Sequence, residues 1–257
     1  MTAGRSVTLL MTATIAPAGG MKTVLADVQA RRDEYARALR FYRAMIGRGI
    51  DRIVLVDNSA SDMAVFEEIA AGYPIELLAY EGIRYPPEYG YGYGELALIQ
   101  HAMDHVPGLR DGMVVKVTGR YLVSNLTAVI AAGRGVDFAG DIWNRRRPWL
   151  DMRVFMWTSA GFEAILRDRY LLLRDDVNRL PPEMILSAQV LQSVGVPVRT
   201  YFAVDPKVSG RRGMDGKDWG RGSLALKRVA RAVARPLMLA VRSYAGAARD
   251  RQVPHRG

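Results

Sequence analysis

Short apolar runs alternate with amphipathic segments along the first third of the chain. Residues 7–15, 52–56 and 75–80 are rich in aliphatic side chains and predict buried strands. Between them, residues 33–46 and 64–71 carry apolar side chains at helical spacing and predict two helices. This alternation of strand and helix predicts a parallel sheet with right-handed crossovers, and therefore an α/β fold.

The same pattern continues to about residue 204. Alternating tyrosines and glycines at residues 85–95 predict a pliable loop that leads into a helix over residues 95–105. Further strands are predicted at residues 114–117, 136–140, 151–157 and 198–204, and further helices after residue 124, over 161–166 and from 181 onward. No apolar stretch is long enough to span a bilayer, and residues 7–15 fit a core strand better than a signal peptide.

Composition limits the available chemistry and shows where the charge lies. The 257 residues include no cysteine, which excludes disulfides, a thiolate nucleophile and a cysteine-based zinc site. Residues 1–206 contain 23 basic and 23 acidic side chains, whereas residues 207–257 contain 13 basic and 3 acidic ones. The net charge of +10 therefore belongs entirely to the C-terminal part.

This basic C-terminal part predicts an anionic partner. From Ser223 onward, arginines mix with apolar residues in a helical pattern that Pro236 should interrupt. A basic amphipathic helix is typical of membrane-surface binding, although packing on the domain or in a partner's groove is an alternative. Nucleic acid is not expected, because the tail has few aromatic residues for base stacking. We divide the chain into an α/β domain at residues 1–209 and a basic loop with an amphipathic helical tail at residues 210–257.

The most informative stretch for chemistry is residues 114–123, a valine-rich strand that ends in a polar turn. Lys116 and Arg120 bring two cations to the end of this strand, beside Thr118, Gly119 and Tyr121. Ligands of open α/β sheets bind beyond the carboxyl ends of the strands, and two cations beside a glycine suit a phosphate. The alternative is that both cations are surface charges paired with acids elsewhere.

Two other segments supply candidate ligand contacts. Asp57 ends the second predicted strand, where it could accept hydrogen bonds from a nucleotide or form an Asx turn or helix cap. Gly94 and Glu95 lie at a helix start whose backbone N–H groups could hold an anion, although the Glu95 carboxylate competes for that position.

Candidate acids occur in the second half of the chain. Asp151 and Arg153 point the same way on a predicted strand, where they could line a site or form a buried ion pair. Glu183 falls in the first turn of a helix that begins with two prolines, where an acid is also favoured by the helix dipole.

Taken in order, three motifs resemble those of a known family. Residues 53–62, 90–95 and 116–121 resemble nucleotide-sugar glycosyltransferases of the GT-A fold, in a branch that builds bacterial cell-surface or capsular polysaccharide. The similarity covers about residues 7–209. It implies a GT-A-like, Rossmann-like sheet, a nucleotide-sugar donor and a saccharide or lipid-linked acceptor. From the resemblance together with the basic tail, we predict a cytoplasmic protein that is held peripherally on the inner face of the cell membrane.

The resemblance implies roles for individual residues. Asp57 would contact the nucleotide, Lys116 and Arg120 the diphosphate, and Glu183 would be the general base, with Asp151 the next candidate. The family usually carries an Asp-x-Asp motif that binds a divalent metal, and this sequence contains none. We therefore expect no cofactor and a metal-independent reaction, with a divalent metal left open. Nucleotidyl transfer and non-catalytic binding of a nucleotide sugar are the alternative functions.

Overall fold

The computed structural model describes residues 5–17, 26–143, 146–212 and 215–219. Its centre is a seven-stranded sheet of order β3-β2-β1-β4-β7-β6-β8, beside a small two-stranded sheet of β5 and β9. The strands are β1 (Val7–Ala13), β2 (Arg52–Asp57), β3 (Ile75–Ala79), β4 (Met113–Thr118), β5 (Leu122–Val123), β6 (Phe138–Trp143), β7 (Trp149–Trp157), β8 (Val198–Arg199) and β9 (Val208–Ser209).

Strand direction confirms the predicted mostly parallel α/β sheet. β1 pairs in parallel with β2 and β4, and β2 pairs in parallel with β3. Among the described strands of the seven-stranded sheet, only β7 runs against its neighbours β4 and β6, and β8 is again parallel to β6. Because Val117 of β4 faces Val154 of β7, the first residues of β7 lie at the carboxyl edge of β4.

Helices cover both faces of this sheet. They are α1 (Val28–Arg43), α2 (Ala64–Ala70), α3 (Gly90–His105), α4 (Leu126–Gly133), α5 (Ser159–Gly161), which continues as a π-helical turn over Phe162–Leu166, and α6 (Pro182–Gln192). Short 3-10 turns occupy Pro87–Tyr89 and Arg169–Leu173. None of the described helices combines the length and apolarity needed to cross a bilayer.

The apolar runs are continuous because each central strand buries side chains in two hydrophobic cores, one on each face of the sheet. Leu9 and Met11 of β1 join the core on one face, whereas Leu10 joins the core on the other. In β4, Val115 and Val114 divide in the same way. All seven residues of β1 are buried, as expected for a sheet packed on both faces.

Residues 90–95 of the tyrosine–glycine segment lie within α3, and Pro87–Tyr89 forms a 3-10 turn, so the segment is not the pliable loop that the sequence predicted. A Cβ on Gly92 would collide with the ring of Pro182, and a Cβ on Gly94 would collide with the hydroxyl of Tyr85. These glycines therefore allow other segments to approach the helix closely. The sequence around them does not show this, because the approaching segments are not part of the helix.

Two further predictions differ from the structure or fall outside it. Of the strand expected over residues 198–204, only Val198–Arg199 forms. The N–H of Phe202 instead donates to Asp141 Oδ1 at 2.7 Å, so a side chain replaces a neighbouring strand as its partner. The predicted amphipathic helix after Ser223 lies outside the described residues.

Candidate active site

Polar side chains gather at the carboxyl edge of the sheet. β1 and β2 end side by side, with Ala13 opposite Asp57, and β4 ends at Thr118 opposite Thr12. The first residues of β7 reach the same edge, and α6 packs against that strand. Since ligands of open α/β sheets bind at this edge, it is the candidate active site.

Asp57 shapes the loops that follow β1 and β2. Its carboxylate is fully buried and accepts hydrogen bonds from the backbone N–H groups of Ile15 at 2.9 Å and of Ser59 and Ser61 at 3.1 Å. The Ser59 hydroxyl also donates to it at 2.8 Å. Asp57 therefore forms the kind of Asx turn that the sequence offered as an alternative role. Direct contact of Asp57 with a nucleotide stays a prediction.

Lys116 is a buried cation beneath the edge. Its side chain has no exposed surface, and its ammonium forms an ion pair with Glu95. The ammonium also donates to Thr118 Oγ1 at 3.0 Å and to the carbonyl oxygen of Met152. Glu95 accepts a further bond from Thr12 Oγ1 at 3.1 Å. An ammonium has three donors, and these three partners use them, so this arrangement leaves none for a diphosphate.

Gly119 and Arg120 form the turn after β4. A Cβ on Gly119 would lie 2.7 Å from the carbonyl oxygen of Thr12, so close contact with β1 requires glycine there. Arg120 is 6% exposed and donates through Nη1 to Glu34 Oε2 and to the carbonyl oxygen of Arg211, both at 3.2 Å. Burial alone would lower the pKa of Arg120, but nearby aromatic hydroxyls and Glu34 leave that pKa above its ordinary value.

Tyr121 contributes its backbone and its ring to this corner. Its carbonyl oxygen accepts a hydrogen bond from the Tyr42 hydroxyl at 2.8 Å, which fixes the chain as it enters β5. Its ring packs edge-on against Trp219, with the ring centres 6.4 Å apart. Both contacts hold the turn in place.

Asp151 and Arg153 form an ion pair at the start of β7. Arg153 donates from Nε to Asp151 Oδ1 at 2.7 Å and from Nη2 to the second carboxylate oxygen. Burial alone would lower the pKa of Arg153, but the paired Asp151 keeps it above its ordinary value. The Arg153 guanidinium also lies 4.0 Å from the centre of the Trp219 ring. The sequence analysis offered two roles for these residues, lining a site or forming a buried ion pair, and the structure shows the ion pair. The pair nevertheless lies at the carboxyl edge of the sheet, where the candidate site is.

Glu183 lies at the start of α6, facing α3. The hydroxyl of Tyr91 donates to both oxygens of the Glu183 carboxylate, at 2.9 and 3.0 Å. Burial raises the pKa of Glu183, and the charges of Glu95 and Asp151 raise it further, while the Tyr91 hydrogen bond lowers it. A carboxylate with a raised pKa is a stronger base than an ordinary one, as general-base catalysis requires.

The structure adds pairings between residues that are far apart in the sequence. Tyr91 lies 92 positions from its partner Glu183, and Glu34 lies 86 positions from Arg120. Arg211 and Trp219 reach the edge because β9 pairs with β5 and because Arg211 and Asp218 form a β-bridge. Contacts between residues so far apart in the sequence cannot be predicted from the pattern of neighbouring residues.

Metal ligands do not cluster in the described part of the chain. No three histidine, aspartate or glutamate side chains there are placed to hold a metal ion. The charges of Glu95 and Asp151 raise the pKa of Glu183, but Lys116 pairs with Glu95 and Arg153 pairs with Asp151. Metal independence stays a prediction.

We predict that Lys116 stabilises the fold through Glu95. Lys116→Met should lower the free energy of unfolding by about 3–5 kcal/mol, because it leaves the largely buried Glu95 carboxylate without its counter-charge. Adding Glu95→Gln should recover part of this loss. Urea denaturation of both single variants and the double variant measures the coupling. Arg84→Met, which breaks an exposed pair with Glu81, is the control, and additive effects of the Lys116 and Glu95 changes would contradict the prediction.

Tyr91 is predicted to tune the pKa of Glu183. Its hydrogen bond stabilises the charged carboxylate, so Tyr91→Phe should raise the pKa of Glu183 above the value in the native chain. The measurement is a pH titration of the side-chain carboxyl carbon by ¹³C NMR, with Glu183→Gln identifying the resonance. Tyr73→Phe, an exposed tyrosine elsewhere, should leave the titration unchanged. A Glu183 pKa that stays constant or falls in Tyr91→Phe would count against this assignment.

Known structures share the general arrangement of this chain. No protein-family model and no curated protein sequence matches it. Inositol-1-phosphate CTP transferase from T. maritima is similar, with 12% identity, coverage of 90% of this chain and 96% of its own, and a TM-score of 0.46. A 4-diphosphocytidyl-2C-methyl-D-erythritol synthase from Anaerococcus prevotii DSM 20548 matches with 13% identity, 77% and 89% coverage and a TM-score of 0.44.

A third structure comes from Desulfovibrio desulfuricans G20, a protein assigned to the nucleotide-diphospho-sugar transferases. It has 13% identity, covers 76% of this chain and 78% of its own, and gives a TM-score of 0.41. At these identities and scores, the similarity assigns neither an activity nor a substrate to the present chain.

Proposed function

We propose that this chain is a glycosyltransferase that moves a sugar from a nucleotide-sugar donor to an acceptor hydroxyl. The observation that carries the proposal is Glu183, a partly buried carboxyl group with a raised pKa, oriented by Tyr91 at the edge where α/β sheets bind ligands. The three motifs that resemble GT-A glycosyltransferases converge on the same edge. The acceptor is proposed to be a saccharide or a lipid-linked sugar of surface polysaccharide assembly.

In this proposal Glu183 acts as general base. It takes the proton of the acceptor hydroxyl as the oxygen attacks the anomeric carbon, and the bond from that carbon to the nucleoside diphosphate breaks. The proton ends on Glu183 and the electron pair leaves with the diphosphate. Direct displacement of this kind inverts the anomeric centre. The leaving diphosphate gains negative charge, which a fixed arginine at the same edge would stabilise.

The donor would bind along the ends of β1, β2 and β4. Its nucleoside would lie against the loops that Asp57 shapes, and its diphosphate would meet the turn of Thr118, Gly119 and Arg120. Lys116 would act indirectly, because its pairing with Glu95 keeps that carboxylate from repelling the diphosphate. Arg153, paired with Asp151, would bring positive charge to the acceptor side.

Nucleotidyl transfer is the second candidate, and one observation favours it. Glu95 and Asp151 lie near enough to Glu183 to raise its pKa, so three carboxylates share one edge. By themselves these side chains are not placed to hold a metal ion, so Mg²⁺ would have to be bound jointly with the phosphates of a nucleoside triphosphate. In that reaction the released product is pyrophosphate, whereas sugar transfer releases a nucleoside diphosphate.

The prediction that separates these functions is the product and its dependence on Glu183. In excess EDTA, the native chain should release a nucleoside diphosphate from a nucleotide sugar in the presence of acceptor. Glu183→Gln should reduce turnover by about 10²–10⁴-fold and spare donor binding, because an amide cannot take the acceptor proton. Product chromatography and calorimetric titration of the donor measure the two effects.

Glu88→Gln is the matched control for this experiment, since Glu88 is exposed and should leave turnover unchanged. Pyrophosphate as the product would replace the proposal with nucleotidyl transfer. Loss of turnover in EDTA that manganese or magnesium restores would reject a metal-independent reaction. Donor binding with neither product would indicate a binding protein.

The basic tail is proposed to bring this activity to an anionic membrane, where a lipid-linked acceptor would present its sugar. Each arginine near an anionic surface contributes about 1 kcal/mol. Arg231→Gln/Arg235→Gln should therefore weaken binding to anionic vesicles by about thirtyfold, and added salt should weaken it in the native chain. Vesicle co-sedimentation measures both effects. Arg37→Gln/Arg40→Gln is the exposed control pair, and equal losses in the two double variants would contradict docking by the tail.

A further inference from the structure

Two arginines share one carboxylate beside the turn that follows β4. Arg120 comes from the turn itself, Arg211 follows β9, and Glu34 lies on α1. Glu34 Oε2 accepts from Arg120 Nη1 at 3.2 Å, and Glu34 Oε1 lies 3.9 Å from Arg211 Nε. Each oxygen of the carboxylate thus serves a different guanidinium, and neither arginine has the two-point pairing that its shape permits.

The burial of these three side chains is unequal. The side chains of Arg120 and Glu34 are 7% and 12% exposed, whereas that of Arg211 is 64% exposed. The Nε–H of Arg120 is buried and has no hydrogen-bond partner among the described residues. A buried donor without a partner is costly, so this corner has unused capacity for an anion.

A phosphate matches that capacity better than a carboxylate does. It carries more charge and more acceptor oxygens, so it can meet two guanidinium groups at once. Arg211 is exposed and has a long side chain, so it can turn from Glu34 to a ligand without disturbing the core. Its own carbonyl oxygen already accepts from Arg120, which keeps the two arginines together.

We propose that Glu34 is an internal stand-in for phosphate: it neutralises Arg120 and Arg211 in the ligand-free protein, and an incoming diphosphate displaces it from both. That the diphosphate belongs to a nucleotide-sugar donor rests on the function proposed above, whereas the anion site itself does not. Arg211 and Glu34 thereby join Arg120 as residues that govern diphosphate affinity.

A permanent structural salt bridge is the competing explanation, and the two differ in the sign of one effect. If Glu34 competes with phosphate, removing its charge should tighten anion binding. If Glu34 only holds α1 against the turn, removing its charge should loosen the site and weaken binding or leave it unchanged.

Calorimetric titration with inorganic diphosphate, in buffer free of phosphate and metal, tests this sign. Glu34→Gln should bind inorganic diphosphate about fivefold more tightly than the native chain, because the ligand no longer has to displace a charged group. Arg211→Ala should bind it about tenfold more weakly, because one charge-assisted contact is lost. Arg48→Ala removes an exposed arginine from the turn between α1 and β2 and should match the native chain.

Equal or weaker binding by Glu34→Gln, or unchanged binding by Arg211→Ala, would overturn the proposal. Circular dichroism checks that each variant is folded. If Glu34→Gln does not fold, Arg211→Ala alone decides, since its exposed side chain can be removed without opening the core. The assay involves no sugar transfer, so absence of transfer beside the expected affinities would reject only the proposed function.

Discussion

The buried pair of Lys116 and Glu95 is the interaction on which the candidate site depends. It joins β4 to α3, and the same ammonium bonds to the carbonyl oxygen of Met152 in β7. An ammonium removed from water requires a counter-charge and full hydrogen bonding. Here the counter-charge comes from α3, and the other two hydrogen-bond acceptors come from β7 and from the end of β4. The pair therefore fixes the relative positions of the sheet edge, the helix that carries Tyr91 and the strand that carries Asp151.

From this fixed base, the edge divides into a region around Glu183 and a region around Arg120. Carboxylates lie where α3, α6 and β7 meet, and there burial and like charges raise the pKa of Glu183. Guanidinium groups lie near α1, where Arg120 and Arg211 share Glu34. The proposed transfer reaction needs a base on one side of the reacting carbon and stabilisation of an anionic leaving group on the other, and this division would supply both.

The fold was predictable because the strands are buried on both faces, so their apolar runs are continuous and alternate with helices. The sequence also identified Lys116 as a candidate site residue, because a cation in a valine-rich strand is rarely buried without a partner. The sequence did not show that Glu95 is its partner, because Glu95 comes close to Lys116 only when α3 packs on the sheet. The role of Gly92 was not predictable either, because it depends on the close approach of Pro182. Nor was the role of Tyr91, because its partner Glu183 is far away in the sequence.

In the proposed function, the nucleotide donor binds at the carboxyl edge of β1, β2 and β4. A crystal structure with a bound nucleoside diphosphate would show where the nucleotide lies. We predict a nucleoside against the loops that Asp57 shapes and a diphosphate at Arg120, on the side of the edge that leads to Glu183. Binding at the opposite edge of the sheet, in the groove lined by Arg5, Arg134 and Asp137, would contradict this prediction.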